Sequence, residues 1–334
     1  MRRRVRDQVV AVTGASSGIG RAIARAFGAQ GAKVALMARG KEALDNCARE
    51  IEQAGGEALV LPLDVSEAKA LYKAAHAIVD KWGRIDTWVN NAMVSVFSPV
   101  SEMRPEEYRR VTEVNYLGTV YGTLAALRYM LPADEGVIIQ IGSALVYRSI
   151  PLQSAYCASK AAMRGFTDSL RSELFHDKSK VALCVLQLPA VNTPQFDVVR
   201  TRLPRHPMPV PPIFQPEVIA RAALYASEHP AREIWIAGSA WKAIVGQKLI
   251  PGLLDRYLGH MGYDAQQNGA PVELDRPDNL NAPLPGDRGA HGGFDSIARP
   301  RSLELLARMN RGKIGAVLGV AAAVALIALK AVRA

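Results

Sequence analysis

The stretch Thr13-Gly14-Ala15-Ser16-Ser17-Gly18-Ile19-Gly20 decides the fold of this chain. It follows the short apolar run Val9–Thr13 and opens a segment of helical periodicity near 18–30. Glycines at such a strand-to-helix junction let the backbone turn tightly and approach a pyrophosphate, which the free N–H groups and partial positive charge of the helix N-terminus then hold. A glycine triplet alone is common in loops, so the meaning comes from the strand before it and the helix after it.

Outward from that turn, apolar runs keep alternating with helical patterns, the mark of parallel βαβ units. The runs are Val9–Thr13, Lys33–Ala38, Ala58–Leu63, Thr87–Asn90, Val137–Ile141, Val181–Leu188 and Glu233–Ala237, several of them nearly continuous in apolar residues, as strands covered on both faces are. Helices are expected near 18–30, 41–54, 67–82, 105–130, 155–176 and 216–228, with Pro105 and Pro216 placed at helix starts. The fold class is α/β, a doubly wound parallel sheet of seven strands. Residues 239–261 carry Trp241, Ile244, Val245, Leu249, Leu253, Leu254, Tyr257, Leu258 and Met261 at roughly helical spacing, which suits core packing or a dimer contact. The expected division is a catalytic domain over 1–261, a flexible linker over 262–300 that is rich in Gly, Pro, Asp and Asn, and a basic segment over 301–334.

The chain has 334 residues, 49% of them hydrophobic, and a formal charge of +10. That charge sits at the ends: Arg2, Arg3, Arg4 and Arg6 at one, and Arg299, Arg301, Arg308, Arg311, Lys313, Lys330 and Arg333 against Glu304 at the other. A neutral body with basic ends argues against a nucleic-acid groove and for ends that meet an anionic surface. Three cysteines, Cys47, Cys157 and Cys184, and six scattered histidines form no metal-ligand spacing, so no metal site is expected, and the odd cysteine count points to a reducing compartment.

Two groups of residues carry chemistry. The second strand ends Leu36-Met37-Ala38-Arg39, with no acid where a preference for NAD places one on the ribose 2′-OH. A guanidinium there suits the 2′-phosphate of NADP, so NADPH is favoured over NADH, the alternative being a solvated charge at a strand end. The second group is Tyr156-Cys157-Ala158-Ser159-Lys160, with Ser143 upstream at the end of the fifth strand. Tyr156 and Lys160, at i and i+4, share one helix face, and a neighbouring ammonium lowers a phenol pKa from its usual ~10.

Together, the glycine turn, Asp64-Val65, Asn90-Asn91-Ala92, Asn115, Ser143 and Tyr156 with Lys160 resemble the single-domain branch of the short-chain dehydrogenase/reductase family, over about residues 6–238. The resemblance implies a Rossmann-type sheet and an NAD(P)-dependent oxidoreductase acting on a carbonyl or secondary alcohol. It implies a catalytic set of Asn115, Ser143, Tyr156 and Lys160. Asn115 would hold a water that joins Lys160 to solvent, and Ser143 would bond the substrate oxygen. Tyr156 would pass the proton, and Lys160 would bind the nicotinamide ribose. For the cofactor it implies Gly14, Ser16, Ser17, Gly18, Ile19, Gly20, Arg39, Asp64, Val65 and Asn91, together with Tyr156, Lys160, Val191 and Thr193. Asp64 and Val65 would meet the adenine, and Val191 and Thr193 the carboxamide. Asn90 would steady the sheet. Met93 and Ala190 stand where the family commonly has glycine, which alters the cofactor wall and removes no proton-transfer group.

Residues 189–216, where the family carries its substrate lid, hold eight prolines and the basic Arg200, Arg202 and Arg205. These arginines suit an anionic substrate or a solvated loop. Leu145, Val146 and Tyr147 suggest an apolar wall, and with it a lipophilic ketone or secondary alcohol. Three readings stay open: an active oxidoreductase, a cofactor-binding sensor or scaffold without turnover, and a nucleic-acid binder, with the neutral body against the last. A homo-oligomer is expected from the resemblance alone.

Residues 314–329 are sixteen uncharged residues drawn only from Ile, Gly, Ala, Val and Leu. As a helix they would span about 24 Å, slightly short of a ~30 Å hydrocarbon core, with flanking Arg and Lys able to snorkel. The expectation is a single-pass C-terminal transmembrane helix with the catalytic domain on the cytoplasmic side. The alternatives are an Ala-rich helix packed on the domain and a soluble cytoplasmic protein.

Overall fold

The computed structural model describes residues 3–312 other than Leu274. Its centre is one parallel sheet built from β1 (Val9–Thr13), β2 (Lys33–Ala38), β3 (Glu57–Pro62), β4 (Thr87–Asn90), β5 (Val137–Ile141), β6 (Ala182–Gln187) and β7 (Glu233–Trp235), in the order β7-β6-β5-β4-β1-β2-β3. The chain therefore winds outward from β1 in both directions. The crevice beside β1 at the strands' carboxyl ends is the place where such a sheet takes its ligand.

The strands are apolar almost throughout because helices cover both faces, and alternate residues divide between two cores. Val10 and Val12 of β1 face α1 (Gly18–Gly28), α2 (Lys41–Gln53) and α7 (Pro216–Glu228), through Ile23, Phe27, Leu44, Ile51, Val218 and Ile219. Val9 and Ala11 face α3 (Ala68–Trp82), α5 (Gly118–Ala133) and α6 (Ser154–His176), through Leu71, Ile78, Met130, Leu170 and Leu174.

The expected strands and most helices form within a few residues of their sequence-read bounds. One expected helix is built differently. The pattern over 105–130 resolves into α4 (Pro105–Thr112), a π-helical turn over Glu113–Leu117, and α5. A π turn adds a residue to the helical ring and commonly marks a functional site; here it contains Asn115.

Residues 239–261 form α8 (Ser239–Leu249) and α9 (Pro251–Met261). Leu249, Leu253, Tyr257 and Met261 are exposed, so these positions do not pack into the core.

The stretch 262–300, expected as a flexible linker, is laid against the domain. Leu280 and Ala290 are buried, and the Arg299 N–H donates to Ile213 O at 2.8 Å while Arg299 O accepts from the Gln215 N–H at 3.0 Å. The Arg276 guanidinium donates to the backbone carbonyls of Phe196, Asp197 and Val199. Polar side chains bonded to backbone hold this segment, so it needs no periodic apolar face. It leads to α10 (Leu303–Met309), whose start is capped by Ser302 Oγ accepting from Leu305 N–H at 3.0 Å. Among the described residues no helix is long and apolar enough to cross a membrane, and the run 314–329 lies outside them.

Candidate active site

The carboxyl ends of the central strands open on a cavity of about 740 Å³, within the range of small-molecule sites. Gly14 lines it just beyond β1, Arg39 beyond β2, Asp64 beyond β3, Asn91 beyond β4, Ser143 beyond β5, and Val191 beyond β6. Of the site residues expected from sequence, all but Gly20 and Asn115 line this one cavity.

Gly20 and Asn115 act from just behind the wall. A Cβ on Gly20 would stand 2.1 Å from Gly14 O, and one on Gly14, at φ +68°, would stand 2.8 Å from Ala92 Cα. The Asn91 amide locks the same turn, donating to Thr13 O at 3.0 Å and Gly14 O at 3.3 Å. Ser17, the N-cap of α1, is extended and its side chain makes no cap bond, so the helix start faces the cavity with its backbone donors. This cradle fits the pyrophosphate of a dinucleotide. A nicotinamide cofactor bound there would supply or accept a hydride.

Asn90, beneath the cavity, donates to Thr123 Oγ1 and Gln140 Oε1, both at 3.0 Å, and accepts from the Trp88 indole at 2.8 Å. It thereby ties β4 to β5 and α5. Asn115 is fully buried. Its amide pairs with both backbone groups of Val94, at 2.9 Å each, and donates to Ser159 Oγ at 3.1 Å, which links the π turn to the helix that carries Tyr156 and Lys160.

Tyr156 is half-buried on α6 and its phenol is hydrogen-bonded to Ser143. Ser143 Oγ also accepts from the Leu145 N–H at 3.2 Å. Lys160 is buried. Its ammonium donates to Ile141 O at 2.7 Å and stands 5.8 Å from the Tyr156 ring centre. The expectation that this ammonium lowers the phenol pKa is not met in this geometry. Burial pushes Tyr156 up to about 12, with Ser143 opposing, and pushes Lys160 down to about 8. The phenol holds its proton, and the ammonium is turned to the end of β5.

Arg39 is half-buried, and its guanidinium donates to Asn279 O at 2.6 Å and Leu280 O at 3.3 Å, carbonyls of the segment expected as a linker. It is therefore neither a free solvated charge nor committed to a ligand. Asp64 is bound by Arg110 and by Ser66, which together outweigh its burial and hold the carboxyl below its ordinary range. Val65 is buried against Gly118, where a Cβ would stand 2.8 Å from Val65 Cγ2. Thr193 packs beside Gly18, and Val191 pairs in parallel with Phe214. Met93 and Ala190 both line the cavity.

The remaining wall near the substrate end is largely apolar, with Phe97, Leu145, Ile150, Phe196 and Val210 beside the polar Gln153 and Gln195. Arg200 and Arg202 do not face it: both bind the buried carboxylate of Glu107, at 3.2 and 2.8 Å. Arg205 is exposed and outside the lining. None of the three arginines faces the cavity in this structure.

Sequence reasoning missed Arg21. Its side chain is 3% exposed and pairs with both Glu50 and Asp287, and its pKa is raised because these acids outweigh desolvation. The signal was present: a cation in the first turn of a helix opposes the helix dipole unless an acid meets it.

The sequence profile described as short chain dehydrogenase matches residues 8–203. The chain is 34% identical to the uncharacterized oxidoreductase YxnA of Bacillus subtilis over 80% of this chain and 76% of that protein. It is 34% identical to a fatty acyl-CoA reductase of Acinetobacter baylyi over 67% of this chain and 74% of the relative. A metagenomic short-chain oxidoreductase solved in complex with NADP superposes with a TM-score of 0.57 at 33% identity, covering 69% of this chain and 96% of that one. The chain belongs to the short-chain dehydrogenase/reductase family and is an NAD(P)-dependent oxidoreductase.

The glycine cradle generates a direct test. Gly20→Ala forces a methyl into the Gly14 carbonyl, and overpacking of this kind costs about 1–3 kcal/mol. A lower melting temperature and weakened NADP(H) binding by calorimetry are expected. A variant with wild-type affinity and melting would contradict the steric account.

Proposed function

We propose that this protein is an NADPH-dependent reductase of carbonyl groups on lipophilic substrates, with Tyr156 as the proton donor. The observation that carries the reading is a single cavity that joins the glycine cradle and Arg39 at one end to Ser143, Tyr156 and Lys160 at the other. In the reductive direction Tyr156 Oη gives its proton to the substrate oxygen as the carbonyl carbon is reduced, and Ser143 hydrogen-bonds the same oxygen. A phenol kept protonated near 12 suits this direction, because an alkoxide is a stronger base than a phenolate and draws the proton downhill. Lys160 positions the nicotinamide ribose from the floor of the site. The apolar wall favours lipophilic substrates, and the relative that reduces fatty acyl-CoA agrees with that class.

Turnover tests the mechanism. Tyr156→Phe keeps the ring and removes the proton, so reductase activity on a panel of lipophilic aldehydes and ketones should fall by about 10²–10⁴. NADPH affinity should stay within about twofold, since uniform binding is untouched. Substantial activity in this variant sinks the proton-transfer role.

Arg39 and Lys41 line the cavity where β2 ends without an acid, which supports NADPH over NADH. Arg39→Ala should weaken NADPH roughly tenfold, about the value of one charge-assisted contact, with little effect on NADH. Equal losses for both cofactors would assign Arg39 to the Asn279–Leu280 contact alone.

The second part of the reading is a membrane anchor at 314–329, supported by the uncharged run, its basic flanks, and the exposed apolar side chains of α9. Cells expressing the full chain and a version ending at Gly312, beyond α10, are fractionated by high-speed centrifugation. The full chain should pellet and return only with detergent while the shorter one stays in the supernatant. A soluble full chain ends the anchor proposal.

A further inference from the structure

The cavity has one wall that the sheet and its helices do not supply. Asn279, Pro283, Leu284, Pro285, Gly286 and Arg288 line it together with the glycine turn and the end of β2. These residues belong to a strap that crosses the mouth of the cavity and is fastened at successive points on its rim. It leaves the substrate loop where the Asn279 N–H donates to Val198 O at 2.9 Å. At the end of β2 its carbonyls at Asn279 and Leu280 take the Arg39 guanidinium, and Arg110 Nε reaches Leu280 O at 3.1 Å. Over α1 and α2, Asp287 is bound by the buried Arg21, and Asn46 Nδ2 donates to it at 2.8 Å. At the start of α1 the Gly18 N–H donates to Gly289 O at 3.0 Å. Beyond β6, Asn192 Oδ1 accepts from the N–H groups of Gly292 and Phe294 at 3.1 Å each, and its Nδ2 donates to Asp295 at 2.8 Å.

We infer that residues 279–289 form the outer wall of the dinucleotide site, retaining the adenosine half of the cofactor, and that the strap must part from Arg21 and Gly18 for the cofactor to exchange. Two donors aimed at the cavity rim, the Gly18 amide and the Arg39 guanidinium, are bonded to strap carbonyls. A phosphate oxygen is an acceptor of the same kind. Where a phosphate takes either donor, closure over the bound dinucleotide rests on Asp287 with Arg21 and Asn46, none of which lines the cavity. The apolar and proline-rich middle, Pro283–Pro285, lines the cavity between these fastenings. The inference rests on the reading of this cavity as a nicotinamide-dinucleotide site.

The variant Asp287→Asn keeps the shape of the fastening and removes its charge, while Arg21 retains Glu50 and the fold keeps its buried ion pair. NADPH release is followed by stopped-flow fluorescence on displacement with excess NADP, association is measured separately, and melting of the cofactor-free protein checks the fold. Dissociation should accelerate about tenfold with a smaller change in association, the usual partition for an altered contact. Asn46→Ala, which removes an exposed partner of the same carboxylate, should shift release in the same direction by a smaller factor and covers the case in which Asp287→Asn melts early. Unchanged dissociation in both variants overturns the inference. Tighter binding with faster association also overturns it, because the strap would then exclude cofactor. If the wild-type chain binds neither NADPH nor NADP, the functional reading fails and the strap inference with it.

Discussion

The site depends on how closely three pieces of backbone meet behind the first strand. Gly20 on α1, Gly14 in the turn and Asn91 beyond β4 approach so tightly that no side chain fits at Gly20, and the Asn91 amide closes the gap by bonding the successive carbonyls of Thr13 and Gly14 where the turn begins. That contact aims the start of α1 into the crevice beside β1, where the sheet's winding changes direction. Ser17 leaves the helix start without a side-chain cap, and of its amides the Gly18 N–H is taken by Gly289 O. The closure of the turn therefore sets the position of the anion cradle, and the other strand ends fall around it at the sheet's fixed spacing.

At the other end of the cavity, burial acts on two groups in opposite senses. It costs charge on either, so it keeps the Tyr156 phenol neutral and makes the Lys160 ammonium easier to deprotonate. Among the described residues, Lys160 donates to a carbonyl at the end of β5, a neutral partner that offsets only part of the desolvation. A cofactor ribose lying against Lys160 would add hydroxyl acceptors and favour the charged form. On the proposed reading, cofactor binding would complete the solvation of Lys160, and the phenol would keep its proton for an oxygen that gains negative charge.

The elements that carry a period were legible in the sequence. Strands such as Val137–Ile141 are apolar and buried throughout, helices such as Ser154–His176 bury one face, and the spacing of Tyr156 and Lys160 on that helix, with Ser143 just past the strand, converts directly into one wall of a cavity. The π turn at Asn115 was not legible, since one extra residue in a ring barely disturbs an apolar pattern. Neither was the strap. Gly, Pro, Asp and Asn without periodicity read as an unattached linker, yet the same residue types make side-chain-to-backbone bonds, and those partners lie 70 or more residues away in sequence, as Asn192 does from Gly292 and Arg276 from Val199. Composition reports the absence of a buried stripe and is silent on distant polar partners. Arg200 and Arg202 were ambiguous for a related reason: a basic loop looks the same in sequence whether its partner is a substrate or Glu107.

Glu107 joins the two sides of the site. It is buried, its carboxylate accepts from the Arg104 N–H at the start of α4 at 3.0 Å, and it binds both loop arginines. These partners outweigh the cost of burial, so its carboxyl stays below the ordinary range and remains ionised. Arg200 then reaches past Glu107 to Asp278 at 2.7 Å, one residue before the strap carbonyl that holds Arg39. The proline-rich loop and the segment beginning at Asp278 are thus fastened through one guanidinium. Removing a partner from such a pair leaves a desolvated charge behind, so the arrangement favours both covers in place together over either one alone. A movement that frees Asp278 removes one partner of Arg200, while Glu107 still holds Arg200 and Arg202 on α4. The loop and the segment 278–289 therefore share one charge cluster, with Arg200 standing between Glu107 and Asp278.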